Sequence, residues 1–426
     1  MLHGAADFCL QRTIGRPSST LTVEFCRVPV IDPVEGVATP RSSSFAPTAV
    51  AHAAFIPTGI VTVLLGPVLP ALSARWLLND AQAGEFFTAQ FMASILGVAL
   101  AGVLVPKGGY RLAMILGLVF MAVGVGFLPL GSRFVGLAAV ACYGVGLGLT
   151  IPTCNLLVAE VNPANRASAL SLLNFSWTVG AVACPFLLAP FQRVGRISTF
   201  FYGVAAFVFL VALSLARVRL PRPDVAAKDS GRSSTPLLRL IAMPTAMVLG
   251  VLFFVYVGTE NSVGGWLASY AKRVLAHPGT IWVTTPSYFY GGLLAGRALA
   301  PILLRKISEV LLVRLSVTTA LLGLMTLLAA HSMLVVLASA AIIGLGLAAI
   351  YPITISLLTN CFGPMAARVG SVMFMLASFG AACMPWLVGV TSAKMSSLKF
   401  GLMIPLLGCV LMLVLYLRDW NHAVVV

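Results

Sequence analysis

Glu260 is the residue whose type and setting point most directly to chemistry. It is the only acidic residue well inside a long apolar stretch, in the string GTENSVGGW from Gly258 to Trp266. A lone carboxylate in hydrocarbon costs about 2.5–3.5 kcal/mol on insertion scales. It must face water, find a partner or take up a proton, and loss of water favours the protonated form. The chemistry on offer is reversible proton binding or recognition of a polar solute. The structural alternative is a hydrogen bond to a neighbouring helix. Arg297 is the only basic residue well within an apolar stretch. With a rise of about 1.5 Å per residue, the two differ in height by roughly 15 Å. The sequence therefore predicts no direct pair, and sends Arg297 toward the cytoplasmic edge or the loop that follows.

Amides and rings supply the rest of a candidate solute site. Asn174 and Trp177, three apart, share a helical face. Gln90, Asn155, Asn261, Trp266, Tyr290 and Tyr351 also fall in apolar stretches. Rings that stack on the CH face of a sugar, with amides for its hydroxyls, suit a polyhydroxylated ligand. Trp and Tyr also populate membrane interfaces, the competing reading for Trp266, Tyr270 and Tyr288. No phosphate loop ending in GK[ST] occurs, nor HExxH or another metal spacing. GVGLG at Gly144–Gly148 lies inside an apolar helix, without the strand a dinucleotide site needs. The eight cysteines form no CxxC pair, and six lie in or beside apolar runs, where they act as small hydrophobes. No cofactor, no metal and no enzymatic activity are expected. Work must come from an ion or solute gradient.

These residues need elements to hold them, and composition says which. The chain has 426 residues, 59% hydrophobic and 9% charged, against roughly 25% charged in a soluble domain. A water-soluble enzyme is excluded. The net charge of +15 fits the basic excess of membrane loops, and no basic cluster is interleaved with aromatics as a nucleic-acid surface would be. From Pro47 the chain runs in long apolar stretches, and twelve can be placed, from 48–73 to 398–417, each near the 20 residues that span a bilayer.

The predicted organisation is a cytoplasmic disordered tail (1–46), a six-helix bundle (47–217), a basic linker (218–241), a second bundle (242–417) and a short tail (418–426). Residues 1–46 have no apolar core of signal-peptide length, so they read as a tail or an overextended gene start. Assigned by side, 18 Lys and Arg fall with the termini and central loop, and 8 on the opposite side. Both termini are expected in the cytoplasm, in the plasma (inner) membrane.

The two halves repeat. At an offset of 200, Gly144, Gly146, Pro152, Gly180 and Pro185 meet Gly344, Gly346, Pro352, Gly380 and Pro385. At 199, Gly97 meets Gly296 and Lys107 meets Lys306. Glycines at these places let helices approach, and prolines permit bends.

Twelve helices, a six-plus-six duplication and a basic central loop resemble the major facilitator superfamily. GRALAPILLRKISE (Gly296–Glu309) is similar to its helix 8–9 segment, and VPKGGYRL (Val105–Leu112) occupies the corresponding 2–3 turn, where Lys107 and Arg111 would gate although the usual acid is missing. VYVGTENSVGGWLASYA (Val255–Ala271) resembles helix 7 of fucose-permease-like sugar symporters. Those carry acids in helices 1 and 4; here helix 1 has none and helix 4 only Glu160, at its end. GAVACPF (Gly180–Phe186) has Cys184 where exporters of the family show glycine.

The resemblance implies an all-α membrane protein of twelve helices in two pseudo-symmetric bundles. Its function would be alternating-access transport of a small polar solute, sugar-like and proton-coupled through Glu260, by a monomer in lipid. Rivals are a drug/amphiphile:proton exporter and a transport-inactive sensor or scaffold.

Overall fold

A backbone in hydrocarbon can satisfy its polar groups only within helices or a closed barrel, and this chain takes the first route. The computed structural model describes residues 45–163, 165–221, 237–274 and 279–417. The predicted tail up to residue 44, most of the linker and the 418–426 segment lie outside these residues. The first half holds α1 (Phe45–Val63), α2 (Leu65–Trp76), α3 (Asp80–Phe127), α4 (Arg133–Val161), α5 (Arg166–Arg193) and α6 (Ile197–Leu215). After the short α7 (Leu237–Ile241), inside the predicted linker, come α8 (Pro244–Val274), α9 (Thr285–Leu303), α10 (Glu309–Leu328), α11 (Met333–Leu347), α12 (Ile350–Phe362), α13 (Ala366–Lys394), α14 (Leu398–Gly401) and α15 (Met403–Leu417).

Ten helical stretches among the described residues are long and apolar enough to cross a membrane. The 48-residue α3 crosses twice, reversing at Gly109, whose φ of 77° is the left-handed region open to glycine. A 3₁₀ turn, Ile281–Thr284, leads into α9, which supplies the remaining crossing. Its Tyr290 and Arg297 lower its hydropathy because it faces the centre. The result is an all-α membrane protein with twelve crossings in two pseudo-symmetric bundles. An even number of crossings puts Phe45 and Leu417 on one side, the near face; α3 starts from the far face.

Prolines mark where crossings break. A proline ring clashes with the carbonyl four residues earlier. Pro67 thus breaks the first crossing after Val63, and Pro352 breaks the tenth at Ala348, between α11 and α12. Pro152, the repeat partner of Pro352, is accommodated inside continuous α4.

Packing obeys the sequence repeat. A Cβ on Gly144 would overlap the Gln90 carbonyl, and one on Gly344 the Phe289 carbonyl. Gly146 abuts Gly117 and Met121; Gly346 abuts Ser316 and Ala320. Gly97 lies on Val145 and Gly148, as Gly296 lies on Leu345 and Ala348. Gly180 meets the Ile56 carbonyl and Gly380 that of Phe254. Each contact brings two backbones together where hydrophobic burial gives no driving force, because lipid is as apolar as leucine. Close van der Waals contact does the work instead.

Gly344→Ala should lower the thermal midpoint of the detergent-solubilised protein markedly, since overpacking typically costs 1–3 kcal/mol. Gly291→Ala, in α9 with open space at its Cβ, should raise it slightly through helix propensity, by up to about 1 kcal/mol. Differential scanning fluorimetry on the two variants distinguishes a packed seam from a tolerant one.

Candidate functional site

The halves touch at the far face. Asn79 caps α3, its Oδ1 accepting from Gln82 N at 2.8 Å while Gln82 Oε1 accepts from Asn79 N at 3.2 Å. This fixes Asp80 in the first turn of α3, where a negative charge suits the helix dipole; Arg273 sits as favourably in the last turn of α8. The two pair across the halves, Arg273 donating with both terminal nitrogens at 2.5 and 2.6 Å, and Ser392 of α13 donates to the same carboxylate at 2.5 Å. Beneath this latch Gly66 lies on Gly264, Gly84 on Trp386 and Gly265 on the Phe87 ring. Thr88 donates to Ala382 O at 3.1 Å.

Trp266 belongs to this seal. It is 1% exposed, its indole donates to Pro385 O at 2.9 Å, and its ring lies 6.0 Å from that of Phe87. It neither lines an open cleft nor stands in an interfacial belt, contrary to both readings of the sequence. Tyr270, also 1% exposed, donates to Leu327 O; its hydroxyl has an internal partner and no need of the membrane interface. Tyr288, at 38% exposure, is the one of the three that remains at the surface.

Immediately below the seal, a void of about 10 Å³ is lined by Thr62, Gln90, Asn261 and Tyr290, among others. That is the lower limit for one water. Gln90 donates to Thr62 O at 3.0 Å and accepts from Tyr143 Oη at 3.0 Å, which leaves its second N–H unassigned. Asn261 turns its amide back on Val257 O. Trp177 donates to Thr62 Oγ1 at 3.3 Å and meets Tyr290 edge-on at 6.2 Å, bridging the halves.

One turn lower, Glu260 and Arg297 are half-buried. Among the described residues they form no direct ion pair; both lie near Tyr256 and Tyr351. Tyr256 is 2% exposed and its oxygen makes no hydrogen bond. Arg297 extends across the cleft to Thr178 Oγ1 of α5 at 3.4 Å. It does not go to the cytoplasmic edge or the loop after α9, as the rise along ideal helices implied. Cβ atoms lean toward a helix N-terminus. α8 and α9 are antiparallel, so Glu260 leans toward the near face and Arg297 toward the far face, each closing the gap in height.

The other predicted residues are spread wider. Tyr351 packs on Tyr256 with centroids 5.7 Å apart. Asn174 is exposed on α5, its amide bonded to Leu170 O, and Asn155 bonds Ile151 O in α4; no contact ties either to the Glu260 cluster. Lys107 is exposed beside the Gly109 reversal, and Arg111 donates to Ala216 O at the end of α6. Gly146 and Gly346 are seam glycines, as above.

Sequence reasoning passed over Thr62, Thr178 and Tyr256, and also His52, whose Nδ1 lies 2.7 Å from Ser176 Oγ. Tyr256 was readable as the residue one turn before Glu260, and His52 as an imidazole inside an apolar helix. Among the described residues, no group of His, Cys, Asp and Glu could hold a metal ion.

A two-bundle body sealed at one face, with a charged and aromatic centre beneath the seal, defines a polytopic membrane transporter. The chain belongs to the Major Facilitator Superfamily, whose family model matches residues 52–385. It is 24% identical over 344 residues to an uncharacterized MFS-type transporter of Bacillus subtilis, covering 78% of this chain and 85% of the other. It is 26% identical over 362 residues to a glucose/galactose transporter of Brucella abortus, covering 79% and 85%. Its fold is similar to a D-xylose–proton symporter (TM-score 0.71, 17% identity, 86% and 97% covered). It also resembles the E. coli fucose:proton symporter (0.60, 19%, 88% and 98%).

Breaking the latch should loosen the far face. Asp80→Asn or Arg273→Gln should raise labelling of an Asn261→Cys variant by a membrane-impermeant thiol reagent added from the far side, by about fivefold at most, the worth of a partly exposed ion pair. The swapped pair, Asp80→Arg with Arg273→Asp, should restore the seal only in part, because both charges then oppose their helix dipoles. Labelling above the parent background reads the outcome.

Proposed function

We propose that this chain is a secondary active transporter that moves a small polar, sugar-like solute together with a proton by alternating access. Glu260 is the proton site, and the observation that carries this role is its position. It is a carboxylate in the middle of a membrane helix, half-buried at the centre, lying with Arg297 near Tyr256 and in no ion pair among the described residues. Arg297, touching Thr178 on the opposite bundle, is the group through which a change of charge at Glu260 reaches the other half.

The sugar reading is supported by relatives named as glucose/galactose and glucose/mannose transporters and by the ring-and-amide lining of the centre. Gln90, Asn155, Asn174, Trp177, Asn261, Tyr290 and Tyr351 are its proposed contacts, and Lys107, Arg111, Pro152 and Pro352 its hinge and gate residues. With the termini in the cytoplasm of a plasma-membrane monomer, the far face is extracellular and this conformation faces inward. An amphiphile exporter is the second reading, favoured by the aromatic wall of Phe253, Tyr256, Tyr351 and Phe374.

In proteoliposomes, Glu260→Gln should keep solute counterflow but lose accumulation driven by a proton gradient, falling to simple equilibration. Accumulation at the parent level would remove Glu260 from coupling. The solute itself is sought by thermal shift with D-glucose, D-galactose, D-xylose and L-fucose. A true ligand at 100 times its Kd adds about 2.7 kcal/mol to apparent stability. A shift only with amphiphilic cations would favour the exporter.

A further inference from the structure

A groove of about 660 Å³ lies between α3 and α4 of the first half and α13 of the second, in the far-face part of the membrane. It opens outward to the bilayer, where Trp386 on its wall is 39% exposed. Small side chains make it concave: Ala89 on α3, Ala138 and Ala141 on α4, and Cys383 on α13. The hydroxyl of Thr88, which also lines it, is already spent on Ala382 O. Below its mouth the groove therefore offers no free polar side chain, and hydrocarbon suits it. Its volume lies in the range of ligand cavities, about 300–1,000 Å³.

The mouth is different in kind. Glu85 lines it, paired with Arg133, the first residue of α4. From Arg133 to Ala141 the groove descends eight residues, about 12 Å along α4, so the ion pair stands where headgroups are and the alanines where acyl chains begin. The Arg133 side chain is 25% exposed, and its bond to Glu85 uses one terminal nitrogen, Nη2. One anionic and one cationic side chain, side by side, complement a headgroup that carries both a phosphate and an ammonium.

We propose that this groove binds one acyl chain of a bilayer phospholipid with a primary-amine headgroup, its phosphate on Arg133 and its ammonium on Glu85. Binding is tied to conformation. The α13 wall stands beside α3 only because their far ends touch, Gly84 against Trp386 and Gly389 against Asp80. When the far face opens, that wall leaves. A ligand that binds one of two states shifts the equilibrium toward it, so the lipid holds the far face shut.

The purified full-length chain in detergent is titrated with dioleoyl-phosphatidylethanolamine, -phosphatidylcholine or -phosphatidylglycerol while thermal unfolding is followed. The ethanolamine lipid should raise the midpoint at the lowest concentration. The choline lipid, whose ammonium keeps its charge but has no N–H to donate, should need about fivefold more, the worth of one hydrogen bond. Ala138→Trp, which fills the groove, should abolish the ethanolamine increment. Should that variant not fold, Glu85→Gln serves: it leaves Arg133 without its anion and should move the preference to the glycerol lipid. Equal increments from all three lipids on the parent chain would overturn the assignment. So would an ethanolamine preference unchanged in Glu85→Gln or an undiminished increment in folded Ala138→Trp.

Discussion

Backbone-to-backbone contact through glycine is the constraint on which the rest of this structure depends. In lipid there is little to be gained by hiding one leucine behind another, so helices hold together where they come closest. In both halves close approaches fall at equivalent places: Gly97, Gly144, Gly146 and Gly180, then Gly296, Gly344, Gly346 and Gly380. Each half is thereby stiff. Between the halves, similar glycine contacts occur at Gly66, Gly84, Gly265 and Gly389, all toward the far face. The grip of one bundle on the other is one-sided.

That distribution gives the polar residues their tasks. Where the halves are pressed together, polar atoms are consumed by structure: Gln90 spans Thr62 and Tyr143, and Trp266 is tied to Pro385. Beneath the seal one partner is missing. The Tyr256 hydroxyl is buried without a hydrogen bond between a carboxylate and a guanidinium that do not meet. An unpaired buried hydroxyl costs about 1–3 kcal/mol, and a ligand or a proton that completes the set recovers it. The centre is unsatisfied where a transporter needs it to be.

The sequence carried the architecture because the bilayer imposes it. Twelve apolar stretches can only be helices, and Gly and Pro matches at a spacing of 200 report packing that side-chain similarity would not. The Pro352 break and the Gly109 reversal follow from single residues. The central residues were legible in kind but not in place. Arg297 was set too low because the rise along a helix says nothing of side-chain lean, which brings antiparallel partners together. Trp266 reads in sequence as a ring near a boundary; only the approach of α3 and α13 makes it part of a seal. Tyr256, Thr178 and Thr62 carry no signal of their own, since hydroxyls in apolar helices commonly bond the preceding turn, as Thr62 and Thr178 also do.

The strength of the seal follows from its parts. The Asp80–Arg273 pair is bidentate, but its side chains are 13% and 46% exposed, and a pair so wet contributes about 1 kcal/mol or less. It cannot be what holds the far face shut. The glycine contacts beneath it are dispersion contacts, individually small and lost gradually as the helices part. A deep, dry salt bridge in the same place would resist separation by several kcal/mol, and would make this conformation a trap. Under the proposed alternating access, two faces that open in turn have to lie within a few kcal/mol of each other. A weak latch over a smooth seam meets that requirement: the ion pair sets the register in which the bundles close, and the seam decides how firmly.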